Sequence, residues 1–180
     1  MVEERATGPG ADFEAMVLPH LDAAYNLARW LTRSAADADD VVQEAVLRAA
    51  TYFASFRGVN PRAWLLQIVR NTAYASKSLV RGAAVVVLAG DGPDEAAIEQ
   101  VADPGDDPER ALLRREDRRR VAKLLAGLPA ELRETLVLRE IEELSYKEIA
   151  AITATPIGTV MSRLWRGRRM LAAAVKGEER

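Results

Sequence analysis

The sequence predicts an all-α protein made of two small helical domains joined by a flexible linker. Apolar residues recur at helical spacing in both halves of the 180-residue chain, and no alternation typical of strands is sustained. Between the halves, clusters of Gly, Pro and Asp at 90–93 and 103–108 break helices and strands alike. The predicted parts are a flexible N-terminus at 1–10, a first helical module at 11–80, an acidic linker at 81–110 and a second helical module at 111–176.

The composition excludes several classes of protein. The chain has no Cys and one His, His20, so disulfides, thiolate metal sites and histidine-based zinc sites are excluded. No nucleophile motif accompanies His20, so we expect no catalytic residue, no metal and no cofactor, and the chain is not expected to be an enzyme. No apolar run approaches the roughly 20 residues of a spanning helix, and the N-terminus lacks a signal-peptide core. We therefore expect a cytoplasmic protein with no membrane insertion of its own.

Three helices are predicted in the first module. The first runs from about Ala11 to Leu31, and the second follows Ser34 as N-cap and ends near Phe53. Asn60 then reads as N-cap with a proline at the first helical position, and this third helix ends near Leu79. Its predicted packing face holds Trp64, Leu65, Ile68, Thr72, Ala75 and Leu79, and its open face holds Gln67, Arg70, Tyr74 and Lys77 with Asn71 at the flank.

The second module ends in the sharpest motif. After a basic helix at 111–125 and a helix from Pro129 to about Glu142, Ser145 and Glu148 form a capping box that starts a short helix to about Ile152. A tight turn at 153–155 leads to Thr155-Pro156, read as N-cap and first-turn proline of a final helix to about Val175, so the pair is typical of a helix-turn-helix. The predicted buried stripe is Ile157, Val160, Leu164 and Leu171; the predicted open face is Thr159, Ser162, Arg166 and Arg169, with Trp165 beside it and Met161 at the flank of the core. From periodicity alone, a plain helical hairpin with a charged face is an equal alternative.

The net charge of −2 conceals two acidic and two basic zones. Acids dominate residues 11–44 and 81–110, whereas no acid occurs at 45–90 or 149–177. Basic zones suit a polyanion, and acidic zones suit a basic partner or repel nucleic acid. An acid-free helix face favours DNA binding, because a carboxylate there would be repelled by phosphate.

The motifs resemble the extracytoplasmic-function (ECF) sigma factors of bacterial RNA polymerase. YKEIA at 146–150 and PIGTVMSRLWRGR at 156–168 are similar to region 4 of that family. DADDVVQE at 37–44 is similar to its region 2.2, and FRG at 56–58 with WLLQIVRN at 64–71 is similar to its −10-recognition segment. The resemblance implies a sigma region 2 bundle, a flexible linker and a sigma region 4 helix-turn-helix, covering roughly 12–80 and 110–175.

The resemblance also implies partners and site residues. The protein would bind core RNA polymerase (the clamp coiled coil of the largest subunit, and the flap) and promoter DNA, direct the polymerase to specific promoters and assist their melting; an anti-sigma factor would bind it in turn. The polymerase contacts would be Asp39, Asp40, Gln43 and Glu44. The −10 contacts would be Arg57, Asn60, Gln67, Arg70, Asn71, Tyr74 and Lys77. The −35 contacts would be Arg139, Pro156, Gly158, Thr159, Ser162, Arg163, Trp165, Arg166 and Arg169.

Three features depart from the family pattern. Met161 stands where many relatives carry Lys or Arg, the loop before Trp64 is short and contains Pro61, and the apolar run Ala83–Ala89 has no family role. Two alternative functions stay open at this point. One is a helix-turn-helix regulator that acts without being a polymerase subunit, and the other is a sigma-like decoy for an anti-sigma factor.

Overall fold

The computed structural model describes residues 9–32, 34–82, 116 and 119–178, and all regular structure within these ranges is helical. The all-α prediction is therefore confirmed. The predictions for the N-terminal residues 1–8, for the greater part of the linker and for its apolar run lie outside the described residues.

The first predicted helix is two helices. Helix α1 spans Pro9–Val17, a 3₁₀ turn spans Leu18–His20, and helix α2 spans Leu21–Thr32. The single helix predicted from about Ala11 to Leu31 is wrong at Pro19. A proline has no backbone N–H to donate to the preceding turn, so the α-helix stops and restarts one 3₁₀ turn later.

The next two helices begin at the predicted caps. Helix α3 spans Ala35–Tyr52, and the Ser34 hydroxyl accepts from the backbone N–H of Asp37 at 3.3 Å. Helix α4 spans Pro61–Gly82, and the Asn60 side-chain oxygen accepts from the N–H of Ala63 at 3.0 Å. Each cap satisfies a helix N–H that has no partner within the helix. Helices α2, α3 and α4 pack on one another and form an N-terminal bundle.

The packing face of α4 is rotated from the predicted one. Leu65 and Thr72 are buried as predicted, but Ala75 is exposed and Trp64 and Ile68 are only partly buried. The remaining buried positions are Leu66, Val69 and Ala73. Because α4 contacts both α2 and α3, its buried stripe is centred between these two neighbours, and a single-helix periodicity does not contain that information.

The second half forms a C-terminal unit at 119–178. Residues 119–126 are helical, helix α5 spans Ala130–Leu136, and a π-helical turn at Val137–Ile141 continues it. Helix α6 spans Tyr146–Thr153 and begins with the predicted capping box, in which the Glu148 N–H donates to Ser145 Oγ at 3.3 Å and the Ser145 N–H donates to Glu148 Oε2 at 2.7 Å. Helix α7 spans Ile157–Glu178.

The turn between α6 and α7 has a left-handed residue, Ala154, with φ 51°. The predicted cap at Thr155 is not formed, because the Thr155 hydroxyl pairs with the Thr153 hydroxyl at 2.8 Å and α7 starts one residue later than predicted. The carbonyl of Pro156 accepts instead from the N–H groups of Thr159 and Val160.

Helix α7 packs against α5 and α6 through its predicted stripe with one exception. Val160 and Leu164 are buried, and Leu171 is partly buried, but Ile157 is 42% exposed. The prediction for Ile157 is wrong, since this residue stands at the first position of α7 and remains exposed. Gly167 marks the closest approach, since a Cβ there would lie 2.7 Å from Leu136 Cδ1.

The N-terminal bundle and the C-terminal unit are in contact. Helix α4 packs on α6, helix α2 packs on α5, and buried apolar residues of both halves belong to one continuous cluster. Sequence analysis predicted two modules and left their mutual arrangement open. The structure places α4, the predicted −10 helix, at the centre of that arrangement.

Candidate nucleic-acid interface

The predicted open face of α4 faces the C-terminal unit. Arg70 donates through Nε to Glu134 Oε1 at 2.7 Å, and its guanidinium carbon lies 4.7 Å from the ring centroid of Tyr74. Tyr74 donates from its hydroxyl to Glu134 Oε2 at 3.3 Å, and Gln67 donates to the carbonyl of Ala151 at 3.2 Å. The structure thus brings three of the predicted −10 residues together, and gives each a partner in the C-terminal unit.

Two further contacts join the same surfaces. Asn60 donates to the carboxylate of Glu148, and Arg62 donates to the carbonyl of Glu142 at 2.6 Å as well as to its carboxylate. Arg62 was not among the predicted site residues. Three carboxylates of the C-terminal unit, from Glu134, Glu142 and Glu148, therefore occupy one polar face of α4 and its N-cap.

Burial is deepest at two of these carboxylates. The side chains of Glu134 and Glu142 are 1% and 4% exposed, whereas those of Arg70 and Arg62 are 18% and 31% exposed. Desolvation raises the pKa of Glu134, against the attraction of Arg70, and it raises the pKa of Glu142 against Arg62. Burial and the nearby Glu134 charge also raise the pKa of the Tyr74 hydroxyl. The two glutamates are thus held by hydrogen bonds in a site that penalises their charge.

The remaining predicted −10 residues lie around the first turn of α4 or outside this contact. Arg57 is exposed and donates to the carbonyls of Ala54 and Phe56, at 2.7 and 3.0 Å. Asn71 is exposed, and the side chain of Lys77 lies outside the described part of the chain.

A cleft of about 440 Å³ opens beside the loop at 56–60, which precedes α4. Phe56 and Trp64 stand against each other in it, with ring centroids 4.7 Å apart, and Asn60 and Gln67 supply polar groups at its wall. Ala151 of α6 lines the opposite side. Trp64 was predicted to belong to the core, but it is only partly buried and lines this cleft. Aromatic faces next to side-chain amides are the groups that bind an unstacked base.

The open face of α7 is largely exposed, as predicted. Gly158, Ser162, Trp165, Arg166 and Arg169 are exposed, and Thr159 is partly buried. The guanidinium carbon of Arg169 lies 5.3 Å from the Trp165 ring centroid. Ser162 donates to the carbonyl of Thr159 at 3.0 Å, which keeps its small side chain against the helix. The face therefore presents two cations, a flat ring and little bulk, which suits the major groove.

Two predicted −35 residues point elsewhere. Arg163 donates to Glu131 Oε2 at 3.0 Å, and its side chain is 13% exposed. Arg139 donates to the carbonyl of Leu144 at 2.8 Å, and its guanidinium carbon lies 5.2 Å from the Tyr146 ring centroid. Both guanidinium groups are used inside the C-terminal unit in this arrangement. Pro156 is exposed at the start of the helix.

The predicted polymerase contacts lie on one exposed side of α3. Asp39, Asp40, Gln43 and Glu44 are exposed, and Glu44 accepts from Arg48 one helical turn later at 2.7 Å. The opposite side of α3 buries Ala38, Val41 and Ala45. This surface is separate from the residues of α4 that contact the C-terminal unit.

Sequence reasoning missed the carboxylates that cover α4. A signal was present at Glu134, which stands in an otherwise buried stretch of α5 and its continuation. A charge at a core position needs a partner, so that position predicts an ionic contact. The identity of the partner was not predictable, because Arg70 is 64 residues away in sequence.

Both halves of the chain match known families. Residues 16–78 match the family described as Sigma-70 region 2, and residues 118–171 match the family described as Sigma-70, region 4. The chain is 33% identical over 186 residues to an RNA polymerase sigma-H factor of Pseudomonas aeruginosa, covering 98% of this chain and 92% of that protein. It is 31% identical over 182 residues to an ECF RNA polymerase sigma-E factor of Escherichia coli K12, covering 95% and 90%.

Two solved structures are similar across the described helices. One is the sigma factor RpoE in complex with the anti-sigma factor NepR from Bartonella quintana, with a TM-score of 0.67, 28% identity, and coverage of 92% of this chain and 97% of that chain. The other is CnrH in complex with the cytosolic domain of CnrY, with a TM-score of 0.64, 26% identity, and coverage of 96% and 92%.

Two features are absent from the residues that the structure describes. No helix there is both long enough and apolar enough to cross a membrane. No three His, Asp or Glu side chains in the described ranges are placed to hold a metal ion. With matches to both sigma regions and relatives aligned over nearly its full length, the chain belongs to the ECF sigma factor family.

Proposed function

We propose that this protein binds core RNA polymerase, directs it to specific promoters and assists their melting. The observation that carries the proposal is the pairing, on one chain, of an exposed acidic helix side on α3 with an exposed cationic recognition face on α7. The first surface suits a basic protein partner and the second suits DNA, so the chain can link the two. The activity is one of binding, and no bond of a substrate is broken.

The −35 duplex is assigned to α7. Arg166 and Arg169 are exposed and can donate two hydrogen bonds to a guanine edge or grip phosphate. Gly158 has no heavy atom within 4 Å of the position of a Cβ, so the helix N-terminus is open to an approaching phosphate. Arg139 and Arg163 would have to leave Leu144 and Glu131 before they contact DNA.

The −10 element is assigned to α4 and the loop before it. The cleft lined by Phe56 and Trp64 offers an aromatic surface for one extruded base, with Asn60 and Gln67 at its wall. Arg70 and Tyr74 lie further along the same helix and suit the backbone and a second base. Binding energy gained on the separated strand offsets part of the cost of unpairing it.

The polymerase is assigned to Asp39, Asp40, Gln43 and Glu44. We expect the clamp coiled coil as the partner of this side of α3 and the flap as the partner of the C-terminal unit. One similar structure is a sigma factor in complex with an anti-sigma factor, and we propose such a protein as a partner here.

Footprinting tests the proposal against its main alternative. The purified chain and the chain with sigma-free core polymerase are each incubated with a promoter fragment, and protection is mapped at the −35 and −10 positions. We expect protection and an unwound −10 region only with the polymerase. Equal protection by the chain alone would identify a regulator that acts without the polymerase, and binding to an anti-sigma factor without any promoter activity would identify a decoy.

A further inference from the structure

A line of apolar side chains runs along the exposed side of the recognition helix. Ile157, Met161 and Trp165 are spaced four residues apart and are 42%, 54% and 61% exposed. Residues four apart lie above one another on a helix, so the three form a ridge. Single exposed apolar residues are common on surfaces, but an aligned row of three large ones indicates a binding surface.

The surroundings of the ridge are cationic. Arg168 and Arg169 line a shallow cleft of about 500 Å³ together with Tyr146, Met161 and Trp165, and Arg168 is paired there with Glu140 at 2.6 Å, which leaves Arg169 as the cation of the two without a carboxylate beside it among the described residues. The sequence has no acid from residue 149 to residue 177. A partner that offers small apolar groups beside negative charge fits this surface. The thymine 5-methyl group in the major groove, framed by phosphates, has that combination.

We propose that Met161 determines specificity in the −35 element by packing against thymine methyl groups. The inference rests on the proposed function, since it requires α7 to enter the major groove. Met161 lies one helical turn before Trp165 and is exposed beside it, so a helix that turns Trp165 toward the base pairs also brings the Met161 thioether to the groove. An unbranched side chain adapts to the position of a methyl group, and it adds no charge to phosphate.

The test removes one methyl group at a time from the DNA. The −35 element is first identified by selecting promoters with the polymerase complex, and each thymine is then replaced by deoxyuridine, which pairs identically. We expect at least one replacement to weaken binding by the wild-type complex about fourfold, as burial of one methyl group predicts. With Met161→Ala the two DNAs should bind equally. Met170→Ala is the matched control, because Met170 is also exposed on α7 but lies off the ridge.

Several results would overturn the proposal. They are a selected −35 element without thymine, equal binding of both DNAs by the wild type, or persistent discrimination by Met161→Ala. If Met161→Ala instead abolishes binding of an acidic amphipathic helix and leaves promoter discrimination unchanged, the ridge is a protein-binding surface. A wild-type chain that selects no promoter contradicts the proposed function itself, and is seen before any deoxyuridine is introduced.

Discussion

Gly167 offers a sharp test of how the recognition helix is held. A Cβ at this position would lie 2.7 Å from Leu136 Cδ1, 3.1 Å from Leu136 Cγ and 3.7 Å from Leu132 Cβ. Leu136 is 2% exposed, so its side chain can only yield by shifting against its neighbours in the core. Replacing a helical glycine by alanine gains about 1 kcal/mol in helix propensity, whereas overpacking a core costs about 1–3 kcal/mol. The expected change for Gly167→Ala is a net destabilisation of about 0–2 kcal/mol.

The matched substitution lies on the same helix. Gly158→Ala meets nothing within 4 Å, so only the propensity gain applies, and we expect a stabilisation of up to about 1 kcal/mol. Urea unfolding followed by circular dichroism measures both free energies of unfolding. The changes in the free energy of unfolding that the two substitutions cause should have opposite signs or differ by more than about 1 kcal/mol. If Gly167→Ala stabilises the protein as much as Gly158→Ala does, α7 does not approach α5 as described, and the placement of the recognition face is wrong.

Three further outcomes are expected. Ser145→Ala should lower the free energy of unfolding by about 1 kcal/mol through the lost cap. Hydrogen bonds from Ser145 lower the pKa of Glu148, so the stability that this carboxylate contributes is complete above its usual pKa and is lost as pH falls through the lowered value. Glu148→Gln should therefore remove this loss of stability at acid pH in urea titrations. Asp40→Arg should weaken core polymerase binding more than tenfold in a pull-down titration, because like charges at an interface cost several kcal/mol, whereas Glu14→Arg on α1 should not; equal binding by both variants contradicts the α3 assignment. Arg166→Ala should cost about 1–3 kcal/mol at one −35 base pair if it reads a base; an unchanged promoter profile removes it from the interface.

Local chemistry explains which parts of the fold were predictable. The caps at Ser34, Asn60 and Ser145 form as predicted, because each depends on a side chain and a backbone N–H three residues away. The exposed face of α7 also follows from helical spacing, and so does the acidic side of α3. The break at Pro19 was missed because a proline permits either a kink or a stop, and the choice is made by packing.

Long-range contacts explain the rest. The rotation of the α4 packing face depends on which two helices lie beside it, and the covering of Arg70 by Glu134 depends on how the two halves meet. Neither is encoded in the spacing within one helix. Trp64 is an example of what helical spacing does not predict. Its position on α4 predicted a core residue, but its ring packs against Phe56 at the edge of a cleft lined by residues of both halves.

Promoter-specific initiation is the most direct test of the proposed function. The purified chain is added to sigma-free core polymerase with a library of promoter fragments, and the start sites of the transcripts are sequenced. The account predicts transcripts from a restricted set of fragments that share −35 and −10 elements at fixed spacing, and no such set with core polymerase alone. A chain that does not join the polymerase, or that leaves the start sites the same as those of the core enzyme, would contradict it.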